Sequence, residues 1–98
     1  MTKYNFDRSR VECVDAGDHV ADRYTAVIDG AFDMALGMSE RPFHPQGFGM
    51  HVTASPEYMR DRERTTPIDF DDLPPDVQRC IWLDVQHNDE HAAAGGAS

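Results

Sequence analysis

Apolar and polar side chains alternate over Val20–Ile28, Val-Ala-Asp-Arg-Tyr-Thr-Ala-Val-Ile, the longest strand candidate in the chain. Val20, Tyr24, Ala26 and Ile28 share one face there, while Arg23 and Thr25 point away. Val11–Val14 is a shorter β-prone run. Asp29-Gly30 supplies the two positive-φ positions of a tight turn, so Ala31–Met34 is expected to return as a hairpin arm. Asp33 with the following Ala-Leu-Gly-Met would equally suit one helical turn. Phe48, Met50 and Val52 alternate with Gly49, His51 and Thr53, the pattern of a short strand. Ile68 and Phe70 alternate as another.

The helical period appears once, near the C-terminus. Asp71 or Asp72 can cap free amides, Pro74 and Pro75 are tolerated in a first turn, and Asp76 suits the positive end of the helix dipole. At about 100° per residue, Leu73, Val77, Cys80, Ile81, Leu83 and Val85 form a broad apolar face, with Arg79 and Gln86 outside it. A helix over Pro74–Gln86 follows. Trp82 falls opposite the core, where it either folds under a neighbouring loop or meets a partner. Beyond His91 the run Ala-Ala-Ala-Gly-Gly-Ala-Ser reads as a frayed tail.

Two stretches resist regular structure. In residues 39–49, Ser-Glu-Arg-Pro-Phe-His-Pro-Gln-Gly-Phe-Gly, Pro42 and Pro45 remove amide donors and hold Arg41 and His44 extended. Its two phenylalanines and its histidine should fold back over an edge or end of the sheet. Residues 54–66 are polar and charge-mixed, a solvated turn from Ser55-Pro56-Glu57 or a loop approaching disorder. The expected architecture is a small α+β domain over 1–91: three to four mostly antiparallel strands, one C-terminal helix packed on them, and a flexible tail at 92–98.

Composition sharpens this picture. Leu, Ile, Val and Phe together number 18 of 98 residues, which makes for a thin core and leaves room for self-association into a homo-oligomer. Nine Lys and Arg stand against 18 Asp and Glu, a net charge of −9. A chain of that sign repels nucleic acid and anionic membrane and attracts basic protein patches. Arg60, Arg62 and Arg64 form the one basic cluster, offset in place by Glu57, Asp61 and Glu63, whereas residues 65–98 carry seven acids and one base, Arg79. No apolar run approaches the roughly 20 residues that span a bilayer. The N-terminus shows no apolar h-region, so a cytoplasmic protein with reduced Cys13 and Cys80 is expected.

Candidate chemistry is sparse. Cys80, Asp84, His87 and His91 form a stripe of metal-ligand side chains, but Cys80 and His91 stand roughly 16 Å apart along a helix axis, too far to share an ion. His87 and His91 alone have the i, i+4 spacing of a metal pair, and His44 or His51 would have to complete it. Asp84 is an acid inside an apolar face, so either the face leaves the core at that turn or Arg23 or another base pairs with it. Gly37-Met38-Ser39-Glu40 lacks the second glycine of a nucleophile elbow, and Gly47-Phe48-Gly49 lacks the Lys-Ser or Lys-Thr of a phosphate loop. No nucleophile–base–orienter set and no cofactor motif emerges, so the expectation is not an enzyme.

The segments Asp22-Arg23-Tyr24-Thr25, Leu36-Gly37-Met38-Ser39, Pro42-Phe43-His44-Pro45-Gln46-Gly47-Phe48-Gly49 and Leu73-Pro74-Pro75-Asp76-Val77-Gln78-Arg79 together resemble small uncharacterised proteins encoded in bacteriophages and prophages. Where those proteins carry a Gly-Lys/Arg segment, this chain has Arg64-Thr65-Thr66-Pro67. The resemblance implies a phage context inside a bacterial host, where small acidic proteins often act by binding host proteins. The expected function is therefore an interaction protein for a basic protein surface, with Trp82, Phe43, Phe48, Asp71, Asp72 and Asp76 as contacts. The alternative is a small-molecule or metal-binding module built on the Pro/Gly/His loop 39–51.

Overall fold

A computed structural model describes residues 4–96, with side chains as far as His91. Val11–Asp15 (β1) and Tyr24–Ile28 (β2) pair antiparallel, Val11 opposite Ile28 and Asp15 opposite Tyr24. Strand β2 starts four residues later than its alternation suggests, and Val20 lies exposed in the connection. The reason is local. Asp15 holds Arg23 through Nε at 2.9 Å and accepts the Gly17 amide at 2.8 Å, while the Ala16 amide donates to the Arg23 carbonyl. These bonds tie off the loop just before Tyr24.

Asp29 and Gly30 take up positive φ, 54° and 74°, as the turn requires. The hairpin arm does not follow directly. Phe32–Met34 forms a 3-10 turn, and the return strand is Ala35–Met38 (β3). Gly49–Val52 (β4) pairs antiparallel with β3, and Thr66–Pro67 (β5) pairs with β1. The sheet has five antiparallel strands in the order β4-β3-β2-β1-β5, one more than the upper expectation. The extra edge is minimal, since Pro67 lacks an amide. The Ile68 amide extends it by donating to the Cys13 carbonyl. Phe70 is not strand, as expected from its alternation with Ile68, but opens a 3-10 turn over Phe70–Asp72.

One face of the sheet packs against the long helix Pro75–Gly96. Leu73, Val77, Ile81 and Val85 bury against Cys13, Tyr24, Ala26, Ile28, Leu36 and Met38. Leu83, expected on this face, is 46% exposed, because the contact line follows Val77, Ile81 and Val85 at four-residue steps. The helix runs past Gln86, held there by Arg10, which donates to Asp89 at 2.8 Å and to Asp29 at 2.8 Å. The tail expected at 92–98 coincides with helical backbone as far as Gly96, and residues 97–98 lie outside the described residues.

The opposite face is covered too, which the sequence pattern did not suggest. Ser55 accepts the Tyr58 amide at 3.1 Å and starts the single-turn helix Pro56–Met59, α1 in chain order ahead of the long C-terminal α2. Met59 is 0% exposed and joins Val14, Val27, Ala35 and Ala54 in a second core. Residues 54–65 are thus an ordered cover. Buried Thr65 closes the segment by donating to the Asp61 carbonyl at 2.9 Å, and Arg62 donates to the Met59 carbonyl at 2.7 Å. With both faces covered, all five residues of β2 are buried. Among the described residues, no helix is long and apolar enough to cross a membrane.

Candidate functional site

Trp82 does not stand free opposite the core. The N-terminal segment folds over it: Phe6 stacks on Trp82 with centroids 5.8 Å apart, and Tyr4 lies 5.6 Å from the same ring system. Both also meet Phe70 edge-on, at 4.9 and 5.7 Å. Arg8 closes the cluster, its guanidinium 4.4 Å from the Phe6 centroid and 4.6 Å from that of Phe70. The same guanidinium donates to Asp71 at 3.1 Å and to the Tyr4 and Phe6 carbonyls. Aromatic stacking and a cation over the rings each favour this arrangement. Half-buried Trp82 thus follows the first of its two alternatives.

Asp71 is therefore engaged, whereas Asp69, Asp72 and Asp76 are exposed around the same turn with no ionic partner among the described residues. The pattern extends over the molecule. Arg8, Arg10, Arg23, Arg60 and Arg64 all bind carboxylates of their own chain. Arg23 hydrogen-bonded to Asp15, and Arg10 to Asp29, hold those two carboxyls below the usual range. Five of the nine cations are thus paired within the chain, while carboxylates at the start of α2 are left unpaired among the described residues.

Phe43 and Phe48 belong to a different place, beside strand β4. The Ser39 hydroxyl accepts the Phe48 amide at 2.9 Å, and the Ser39 amide donates to the Phe48 carbonyl at 3.0 Å. A Cβ at Gly47 would lie 1.8 Å from the Arg41 carbonyl oxygen, so the loop closes only on glycine. Phe43 is 48% exposed, with the Arg79 guanidinium 5.1 Å from its ring. Phe48 is half-buried. No ring contact or hydrogen bond joins these two phenylalanines to Trp82 and Asp71.

The metal-ligand stripe resolves into separate pairs. The register of β4 places His51 opposite Leu36, on the helix-covered face, where its Nε2 meets Asp84 Oδ1 at 2.9 Å. Asp84, with 13% of its side chain exposed, thus has His51 as its partner and not Arg23, which is held by Asp15. Cys80 packs beside Gly49, where a Cβ would come within 3.0 Å of its sulfur. Burial raises both thiols, Cys13 to about 12, which leaves them protonated and non-nucleophilic near neutrality. The His87 and His91 rings stack at 6.2 Å. His44 Nδ1 accepts the Gln46 amide within its own loop. Among the described residues, no three His, Cys, Asp or Glu side chains are grouped as a metal ion would need.

Sequence reasoning missed a cavity of about 790 Å³ on the face that α1 covers incompletely. Across that face Thr25 lies opposite Gly37, and Gly37 opposite Met50, so the middle of the row carries no side chain. Val52 leans in, its methyls 3.3 and 3.4 Å from where a Gly37 Cβ would stand. Thr25 and Val52 line the cavity together with Val20 from the 16–22 connection and Ala54 and Tyr58 from the α1 segment. Thr25 is 4% exposed, yet its hydroxyl has no hydrogen-bond partner among the described residues. It is not sealed off either, so it opens into the cavity. The alternation places Thr25 on the face opposite Tyr24, Ala26 and Ile28, as observed, but not in a cavity; the readable clue was small Gly37 in a strand otherwise suited to burial. Set against known proteins, the chain matches no family model, no curated protein and no solved structure.

Proposed function

We propose that this is a non-catalytic interaction protein of bacteriophage or prophage type, acting in the cytoplasm of a bacterial host, which binds a protein with a basic surface. The observation that carries this reading is the distribution of charge. Five arginines are paired with carboxylates of the same chain, while Asp69, Asp72 and Asp76 around the start of α2 form no ion pair among the described residues. In a chain of net charge −9, that turn is where a basic partner gains most and its own cations compete least. The rigid aromatic cluster behind Asp71 holds the turn in place, so little ordering opposes association. The phage-type resemblance of the sequence supports the same context.

The test compares wild type with the triple variant Asp69→Asn, Asp72→Asn, Asp76→Asn as immobilised baits in bacterial lysate. Asp69 makes no side-chain cap bond, and Asp76 favours the helix dipole by only about 0.3–1 kcal/mol, so the variant should fold. Proteins retained by wild type at low salt should be released at high salt and absent from the triple variant. An empty wild-type bait, or the same retained set on both baits, would reject the reading.

A further inference from the structure

We propose that the cavity on the α1 side of the sheet binds a zwitterionic molecule with an apolar body, of the amino-acid or short-peptide kind. Its volume of about 790 Å³ falls within the roughly 300–1,000 Å³ of small-molecule sites. Val20, Val52, Ala54 and the Tyr58 ring give it apolar walls, and Val20 is left exposed at the mouth. The Thr25 hydroxyl has no hydrogen-bond partner among the described residues and is not sealed off, so it is free to hydrogen-bond an occupant of the cavity that Thr25 lines.

The two charged lining residues come from different walls. Asp22 belongs to the 16–22 connection and has no ionic partner among the described residues. Arg64 belongs to the segment that follows α1. Its one carboxylate, Asp61, stands 3.5 Å away, and 75% of the Arg64 side chain is exposed. Among the described residues no ion pair joins Asp22 to Arg64; the exposed Arg64 would exchange its 3.5 Å contact with Asp61 for a ligand carboxylate, and Asp22 would take the ammonium. An ammonium facing Asp22 and a carboxylate facing Arg64 would bracket an apolar side chain set on Thr25 and Val52. A ligand with one charge alone would leave the other wall unmatched.

The probe is the dipeptide L-Phe-Gly, titrated into isotope-labelled protein and followed by NMR. Its N-acetyl form lacks the ammonium, and its C-terminal amide lacks the carboxylate. The free dipeptide should give saturable shifts at Thr25, Val52 and Tyr58, and each blocked form should bind about tenfold more weakly. Asp22→Asn should weaken the free dipeptide but not the N-acetyl form, and Arg64→Gln should weaken it but not the amide. Thr25→Val, which keeps shape and strand preference, should weaken all three about fivefold while the protein stays folded. Absence of saturable shifts, equal binding of the blocked and free forms, or indifference to Asp22→Asn and Arg64→Gln would overturn the proposal.

Discussion

Met59 is the most informative residue to truncate, because it alone decides whether residues 54–65 are a structural cover or a surface loop. Its side chain is 0% exposed and packs in the second core with Val14, Val27, Ala35 and Ala54. Truncation of a buried Met to Ala removes its transfer free energy and leaves a cavity, together about 2–5 kcal/mol. The cover is a single-turn helix between irregular segments and can settle partly into the gap, which places Met59→Ala near the lower half, about 2–3.5 kcal/mol. For a domain of this size, total stability is about 5–15 kcal/mol, and each kcal/mol lowers Tm by roughly 4–8 °C. Urea unfolding followed by circular dichroism measures the change at constant slope. Glu57→Ala, an exposed position on the same helical turn, serves as the control and should stay within about 0.5 kcal/mol of wild type. A Met59→Ala loss below about 1 kcal/mol would refute the reasoning, since a fully buried thioether in an ordered second core cannot be that cheap to remove.

Two further outcomes test separate parts of the fold. Gly47→Ala places a methyl 1.8 Å from the Arg41 carbonyl, so the 39–49 loop must open; amide exchange at Phe48, which donates to Ser39 Oγ, should accelerate while β2 stays protected. Asp15 and Asp29 titrate below the usual carboxylate range when folded, because Arg23 and Arg10 bind their ionised forms. Their stabilisation is present above the unfolded-state value near 4 and is lost as pH falls through the lower folded values. Acid unfolding of Asp15→Asn should therefore show a shallower pH dependence than wild type, and an unchanged slope would count against the pairing.

Local patterns were legible where they satisfied themselves within a few residues. Asp29-Gly30 announced its turn through the rarity of positive φ, and the Pro-rich entry to α2 with Asp76 in its first turn was readable from backbone and dipole rules. Asp71 and Asp72, expected as caps, instead lie in the 3-10 turn before it, with Asp71 bound to Arg8. Ser55-Pro56-Glu57 left a solvated turn and a loop both open, and nothing nearby said that a helical turn would form with Met59 buried beneath it. The candidate site was far less legible. Tyr4 and Phe6 gave no sign of reaching Phe70 and Trp82, and His51 reaches Asp84 only because the β3–β4 register turns it toward the helix. The cavity depends on Gly37 and Thr25 standing opposite each other, a relation between strands that a period along one chain does not contain.

By itself the sequence determined the class, α+β, the acidic excess of −9, and the approximate positions of the central strand and the C-terminal helix. Those follow from side-chain period, backbone restriction and charge, which are properties of a residue and its near neighbours. Only the tertiary structure decided that the sheet is covered on both faces, that Arg10 pairs with an acid 79 positions away, and that Thr25 lines a cavity. Each of these depends on which distant segments are brought together, and that is set by the packing of the whole chain around one thin sheet.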